Sequence, residues 1–525
     1  MRKWLVVVIA VVVVIAALPY GMGFVARKQI VHLVDQLNAM PDMEVKITAY
    51  QQGWLSSHAQ FNVEISDVKD TQRVQTGRLL DELDDINVVV DSRVYHGPLA
   101  IFKDSNNKFG IKLVRALLIG DLTLTDAVKQ KLQAKFSGAL PTVQAMVAIG
   151  LNGSVKAQLT SPATNFQDVE TKANIEWKGF NVDWRLSADN NKITGSVILN
   201  GVVIATDQNN RFELSSIELQ HQETKQQDDL WVGNARLTLP QLSLRVKGVE
   251  QLLIQGIELS TEANIDNALL NSTSSAELAR FNVAGKQYGP GNFKLVFANI
   301  SAPAFAKFKQ QLQEINQQQL LTPQRRQASA SLLLQSAPAL FEKGAKVSLQ
   351  DFKFTTPSGT IALDGDVDFS GVSSQAQFSL QDVAATFNIA LPNPIAETML
   401  QRFYQRILIQ QQIAQLALQQ AQAEQEGNNH KAQSAKAKDK THGQLKTLQQ
   451  IQSEAQELSK TQLSHWLQQG SLVEENNHYK TNVNYKNKQL YINGKLVQPP
   501  APQAQPGSAA GQVPGVGTAP AGASR

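Results

Sequence analysis

A chain of 525 residues with a formal charge of +4 and 42% hydrophobic residues has the material for a sizeable core but no strong electrostatic bias. No Lys/Arg block alternates with aromatic residues, so no nucleic-acid surface is expected. The absence of cysteine excludes disulfides, thiolate zinc sites, iron–sulfur clusters and thiol catalysis together.

The first element runs from Trp4 to Ala26, 23 residues without a charged side chain, between Arg2-Lys3 and Arg27-Lys28. At ~1.5 Å of rise per residue, such a helix crosses the ~30 Å hydrocarbon layer of a bilayer. A basic start before an apolar run is also the pattern of a cleaved secretory signal. The nearest small-residue cleavage pattern, Val14-Ile15-Ala16, lies inside the apolar run instead of after it. An uncleaved signal anchor over residues 1–28 is therefore expected, with almost no chain before it and the bulk of the protein outside the cytoplasm.

From about Val45 to Leu391 the dominant period is two. Phe180, Val182, Trp184 and Leu186 alternate with Asn181, Asp183 and Arg185, and similar runs include Ile193, Val197 and Leu199, then Leu242, Leu244 and Val246. Phe293, Leu295 and Phe297, then Ile361, Leu363 and Val367, continue the pattern. Alternation means one face buried and one wet, the habit of antiparallel sheet. Asp189-Asn190-Asn191 and Asp207-Gln208-Asn209-Asn210 suit hairpin turns, because Asn and Asp tolerate left-handed geometry. Gly179 falls where the alternation slips by one residue after Trp177, as a bulge requires.

Three stretches break this period. Val114–Leu140 mixes helix-compatible residues with Gly120 and Gly138 and has no firm assignment. Pro303–Leu321 reads as a helix with Phe305, Phe308, Leu312 and Ile315 on one stripe. In residues 395–470, Leu400, Phe403, Ile407, Ile413 and Leu416 suit one amphipathic helix, and Leu445, Leu448, Ala455 and Leu458 a second. The lysine-rich segment Gly427–Gly443 separates them, and Gly470 ends the pair. Tyr479, Val483 and Tyr485, then Leu490, Ile492 and Leu496, return to the strand pattern around an Asn487-Lys488 turn. From Pro499 to Arg525 the chain is rich in Pro, Gly and Ala and is expected to be disordered.

Several local patterns coincide. Tyr50-Gln51-Gln52-Gly53-Trp54-Leu55-Ser56-Ser57 follows the apolar run, His96-Gly97-Pro98 ends the next strand region, and Leu490-Tyr491-Ile492-Asn493-Gly494 closes the sequence before the tail. This order resembles the YdgA-like family of bacterial inner-membrane proteins, a domain of unknown function, over roughly residues 1–498. The resemblance implies an envelope location and a mostly extracytoplasmic domain, with no enzymatic activity to carry over. Tyr50, Gly53, Trp54, His96, Gly97 and Pro98 are accordingly the candidate interaction residues.

No other motif carries chemistry. Asp364-Gly365-Asp366-Val367-Asp368 opens like a calcium loop, but Phe369 and Gln375 stand where that loop needs Gly and a bidentate Glu. Alternation puts the three aspartates on one wet strand face. His96 would need a nucleophile and an orienting carboxylate to act as a base, and Asp91 and Asp104 are near only in sequence. Gly97-Pro98 is first a turn signal, and Trp54 suits a strand turn, a core position or a membrane or partner contact. The acidic cluster Asp81, Glu82, Asp84 and Asp85 reads as a wet loop, and Gly289-Pro290-Gly291 does not continue into a dinucleotide fingerprint. Neither a metal nor a cofactor is expected.

The expected fold is α+β and predominantly antiparallel β: an N-terminal transmembrane helix, a long, curved antiparallel sheet, and amphipathic helices including a C-terminal helical hairpin. Residues 29–394 form the β-rich extracytoplasmic domain with its helical segment near 303–321, 395–470 the Gln/Ala-rich hairpin, 471–498 the closing strands and 499–525 the tail. The expected role is non-enzymatic: a single-pass bacterial inner-membrane protein, mostly periplasmic, serving as an envelope scaffold or partner-binding module. A lipid-binding or lipid-transfer groove is the alternative. A sheet with one apolar face must cover it with its own helices, a second protomer, an envelope partner or acyl chains. A face filled by the 395–470 helices would favour the scaffold, and a continuous open one would favour lipid.

Overall fold

The computed structural model describes residues 27–28, 30–31, 34–35, 38, 43–66, 85–103, 109–226, 229–318, 321–372, 378–379, 382–427 and 446–497. The expected span Trp4–Ala26, most of the acidic cluster at 81–85, the lysine-rich loop at 428–443 and the tail at 499–525 lie outside these residues. Among the described residues, no helix is long and apolar enough to cross a membrane.

The described strands join in one long, open sheet, and their pairings are antiparallel. Its main path starts at Met43–Gln51, passes through Ser56–Ser66, Asp85–His96, Phe109–Leu124, Val143–Gly150 and Val155–Ser161, and reaches Phe180–Leu186. It continues through Lys192–Leu199, Ile217–Lys225, Trp231–Val246, Val249–Asp266 and Leu269–Val283. Gly291–Ser301, Lys346–Thr356, Gly359–Asp368, Ala384–Pro392, His478–Lys486 and Gln489–Ile492 complete it.

Directly opposed residues in a ladder share a face, so the register shows where the apolar residues collect. One row of partners runs Val94–Leu118–Val147–Ala157–Trp184–Gly195 and on through His221 and Ala235. A parallel row links Leu159, Val182, Val197, Leu219, Leu237 and Leu259. Farther on, Leu295, Leu349, Gly365, Phe387, Val483 and Ile492 are successive partners. Along these rows the apolar residues thus fall on one side. Residues between them carry the polar side: Asp183 accepts from Gln158 at 2.9 Å and pairs with Lys156 at 3.2 Å and Arg185 at 3.1 Å, while Arg236 meets Glu258 at 2.6 Å.

A seam of backbone irregularities crosses the middle of the sheet. Pro162, Gly179, Gly201 and Ser215 interrupt what would otherwise be four long strands. Pro240, Gly256 and Ala279 occupy the same position in the next three, since Leu239 pairs with Ile257, Gln241 with Gln255, and Gln255 with Arg280. A proline inside a strand is accommodated where the ladder is already broken. The slip expected at Gly179 is present, but it is not a bulge: Trp177 pairs with Val202 and Phe180 with Leu199, with two residues between them on both strands, so neither strand carries an extra residue. The φ of Gly179 is +84°, and a Cβ there would lie 2.3 Å from the carbonyl oxygen of Ser161. The slip keeps Trp177 and Phe180 on one side, where their rings meet edge to face at 6.2 Å between centroids. The apolar surface therefore continues across the seam.

The helices are inserted between paired strands. Helix α1 (Asp126–Lys135) follows Phe109–Leu124, which resolves the unassigned stretch as strand, then helix, then the short strand Phe136–Gly138. Where one helix was expected at 303–321, two stand between the paired strands Gly291–Ser301 and Lys346–Thr356: α2 (Ala302–Gln317) and α3 (Thr322–Phe341). Helix α3 carries Pro338 inside it and only a weak apolar stripe, so periodicity did not disclose it.

Helices α4 (Asn393–Gly427) and α5 (Leu448–Gln469) form the C-terminal pair. Thr447 and Gln450 cap α5 reciprocally, at 2.8 and 3.2 Å, and Gly470 ends it at φ +73°. The packed stripe of α5 differs from the expected one. Ile451, Ala455, Ser459 and Leu463 are buried, whereas Leu448 and Leu458 are exposed, as is Ile413 on α4. A spacing of four residues, with small Ala455 and Ser459 at its centre, lets the helices approach closely, and the larger leucines are left outside.

Three buried clusters result. At the N-terminal end, Ile30 and Val34 cover Val45, Ala59, Phe61, Val94, Ala116 and Ile149 on the apolar face. Around the inserted helices, Leu270, Ile300, Ala302, Leu340 and Ala345 pack together. Ala100, Phe102, Val114 and Leu117 form a third. Between the first two, the apolar face is only partly covered: Leu159, Val182, Val197, Leu219 and Leu237 are partly buried, while Trp184 is 39% and Leu259 45% exposed.

Candidate functional site

The six residues singled out in the sequence converge at one end of the sheet. Tyr50, near the end of its strand, is opposite Ala59, and the turn at residues 52–55 brings the chain back into Ser56–Ser66. Gly53 is required in this turn, because a Cβ would stand 2.3 Å from the Ser56 carbonyl oxygen. Asp85–His96 pairs along the other side of Ser56–Ser66, with Ser56 opposite Tyr95 and Ser57 opposite Val94. The imidazole of His96 thereby reaches the turn.

His96 is 2% and Ser57 3% exposed. The Nδ1 atom of His96 faces the Trp54 carbonyl at 3.4 Å, and Nε2 lies 2.8 Å from Ser57 Oγ. A carbonyl only accepts, so Nδ1 carries the proton and Nε2 accepts from the serine hydroxyl. The backbone N–H of His96 donates to the Leu55 carbonyl at 3.0 Å. His96 therefore ties down both residues at the tip of the turn. Ser57 belongs to the motif, but its pairing depends on register over 39 positions of chain and could not be read locally.

A serine beside the Nε2 of a histidine is also the arrangement of a nucleophile and its base. Among the described residues, Nδ1 faces a main-chain carbonyl where such a pair would place a carboxylate, and both side chains are buried. Asp91 is not the missing carboxylate: it pairs with His58 at 2.5 Å, and both are exposed. The arrangement acts as a latch on the turn.

Gly97 and Pro98, joined by a cis peptide, turn the chain out of the main sheet. The Gly97 N–H donates to the Arg115 carbonyl at 2.9 Å and Val114 N–H to the Pro98 carbonyl at 3.0 Å. A Cβ on Gly97 would stand 1.7 Å from the Val114 carbonyl oxygen, so no other residue fits this crossing. Beyond it, Leu99–Lys103 pairs with Phe109–Leu113 as a two-stranded ribbon. Its inner residues, Ala100, Phe102 and Val114, are buried against the third cluster, with Tyr95 and Phe102 rings 6.2 Å apart. Its outer residues are Leu99, Ile101, Phe109, Ile111 and Leu113, all exposed, with Phe109 at 75%. Trp54, at 55%, and Leu55 are exposed on the adjoining turn. The ribbon escaped the sequence reading because the alternation of Phe109, Ile111 and Leu113 with Gly110 and Lys112 does not say that its more apolar face is the outer one.

Tyr50 faces inward. Its hydroxyl is buried with no hydrogen-bond partner among the described residues, and the guanidinium of Arg27 lies 5.3 Å above its ring.

The aspartate triplet is a strand face. Asp366 accepts from Ser348 and pairs with Lys346 at 3.3 Å, Asp364 accepts from Asn388 at 2.7 Å, and Asp368 accepts the Ser370 N–H at 2.8 Å. Each carboxylate has its own protein partner, and among the described residues no three His, Asp or Glu side chains converge to hold a metal. Gly289-Pro290 continues the seam, with Gly289 N–H donating to Thr355 at 2.8 Å and Thr355 N–H to Pro290 at 3.0 Å.

Among known proteins, the chain is similar to Protein YdgA of Escherichia coli (strain K12), 23% identical over 345 residues, which is 62% of this chain and 65% of that protein. The chain thus spans less than two thirds of the length of this relative. No solved structure matches it. Residues 1–500 match the family described as bacterial protein of unknown function, DUF945, and the chain belongs to that family.

Proposed function

We propose that this is a non-enzymatic protein of the bacterial inner membrane, held by a single N-terminal span with its bulk in the periplasm, that binds lipid acyl chains along the apolar face of its sheet. The observation carrying this reading is the uninterrupted apolar face, left half-exposed between its two helix-covered ends. Helix α4 meets the sheet only at its C-terminal strands, and α2 and α3 meet Gly291–Ser301. Among the described residues, no helix packs on the rows through Val182, Val197 and Leu219. The ladders of four strands are interrupted together at the seam, where the sheet would curve and gather these side chains into a trough. Neighbouring strands are ~4.8 Å apart, so the stretch from Val155–Ser161 to Val249–Asp266 spans about 24 Å across its strands. An apolar surface of this extent marks an interaction site.

A scaffold reading is the second one, supported by Met399, Phe403, Ile413 and Leu448, which stand exposed on the α4–α5 pair. One experiment separates the two. A photo-reactive phenylalanine derivative replaces Trp184 in the full-length protein, which is irradiated in cells and analysed by mass spectrometry. Adducts carrying phospholipid support the lipid reading, and adducts to one defined protein support the scaffold. Absence of either, with the protein expressed and folded, removes the apolar face as a functional surface.

A further inference from the structure

The outer face of the ribbon at Leu99–Leu113 is a second apolar surface, separate from the trough. A two-stranded ribbon with its inner residues packed has no structural need for Leu99, Ile101, Phe109, Ile111 and Leu113 on the outside. Their occupant follows from where the chain enters the structure. Asn38 hydrogen-bonds both backbone groups of Val45, at 2.6 and 3.1 Å, while Arg27 stacks on Tyr50, near the opposite end of the same strand. The helical residues from 27 to 38 therefore run away from the end where Trp54 and the ribbon stand. Trp4–Ala26, the uncharged run, leads into Arg27 and so reaches the protein at that end.

We propose that this end of the sheet rests in the bilayer interface, with Trp54 and the outer face of the ribbon among the headgroups and upper acyl chains. The proposal rests on the reading of Trp4–Ala26 as a membrane span. Tryptophan favours that layer, and a face bearing Leu, Ile and Phe gains by leaving water for it. Arg27 and Lys28 are exposed beside it, and Lys103 places its ammonium 4.8 Å above the Phe109 ring. Such cations suit an anionic leaflet, with lysine stems lying on apolar surface. The latch at His96 acquires a purpose: it fixes the turn so that Trp54 and the ribbon meet one plane.

The test uses the lack of native cysteine. Three full-length variants, Ile111→Cys, Val12→Cys and Lys192→Cys, are each labelled with an environment-sensitive fluorophore. They are reconstituted in vesicles of phosphatidylethanolamine with a minor share of phosphatidylglycerol. The expected result is a blue shift at position 111 and loss of its emission to a quencher carried on the lipid, with neither at position 192. Position 111 remaining as wet as 192 overturns the proposal. Protection of 111 from aqueous iodide without lipid quenching also overturns it, because the cover is then protein. Quenching at position 12 reports the span separately. If 12 is quenched and 111 is not, the ribbon proposal fails alone; if neither is, the anchor reading fails with it.

Discussion

Ser57 Oγ stands 2.8 Å from His96 Nε2, inside the end of the sheet that displays the largest exposed apolar side chains. The pair joins the two motifs, and through Trp54 and Leu55 it sets the position of the turn between them. Leaving a buried donor or acceptor unsatisfied costs about 1–3 kcal/mol. Ser57→Ala and His96→Phe should each destabilise the protein on that scale in urea titrations, and the double variant should cost less than the sum of the two. Strict additivity would show that the two side chains do not act together.

Gly97→Ala should be among the most damaging single substitutions. The clash is with a main-chain carbonyl of the neighbouring strand, which cannot move without opening the ladder. The expected loss is about 3 kcal/mol or more, read as a lowered melting temperature or as insoluble expression. A variant that melts with the native protein would mean that the crossing is not this tight.

At the seam, Gly179→Ala can be compared with Gly285→Ala. Both glycines have positive φ, +84° and +75°, but only the first approaches another strand; a Cβ on Gly285 meets nothing within 4 Å. The second change should cost roughly 1 kcal/mol, the penalty of left-handed backbone alone, and the first distinctly more. Equal costs in denaturant midpoints would refute the close strand approach at Gly179.

In the C-terminal helix pair, Ile451→Ala and Leu463→Ala should each cost about 2–5 kcal/mol of the stability of that unit. Leu448→Ala, on an exposed side chain, should stay within about 0.5 kcal/mol. Hydrogen exchange along α5 can read both. A large effect at Leu448 would indicate a contact from another chain, and light scattering of the same sample would then show a change in mass.

Asp366 offers a pH measurement. The Ser348 hydroxyl first, and then the Lys346 ammonium, hold its carboxyl below the usual carboxylate range against the opposing effect of burial. A group with a depressed folded-state value stabilises the fold above its unfolded value, near 3.9 for Asp. That contribution is lost as pH falls through the folded value. Nuclear magnetic resonance titration of Ser348→Ala should move the Asp366 midpoint upward, and stability near pH 4 should fall relative to the native protein.

How much of this could be read in advance depended on how local each cause is. Strand alternation was legible where a strand keeps its apolar residues on one face, as Phe180, Val182, Trp184 and Leu186 do, and so carries its own record of it. Asn190 and Asn209 have positive φ at the turns their sequence suggested, and Gly179 lies where the alternation slips, though without the inserted residue of a bulge. Long-range register was not legible: nothing near Ser57 points to His96. The ribbon alternates but turns its apolar residues outward, and α3 contains a proline, so neither announces its place in the fold. The α5 seam was read only in part: Ala455 stood on the expected stripe, but its neighbour Ser459, which packing selects for size, carries no hydropathy signal.

The placement of the helices between paired strands bears on how such a protein can change in evolution. Because every ladder is antiparallel and the helices leave and rejoin it at adjacent strands, an added hairpin of two strands restores direction and facing together. The sheet can lengthen or shorten by whole hairpins without turning any later side chain to the wrong side. Overall length is then free to drift among relatives, while the end held by Ser57 and His96 has no such freedom.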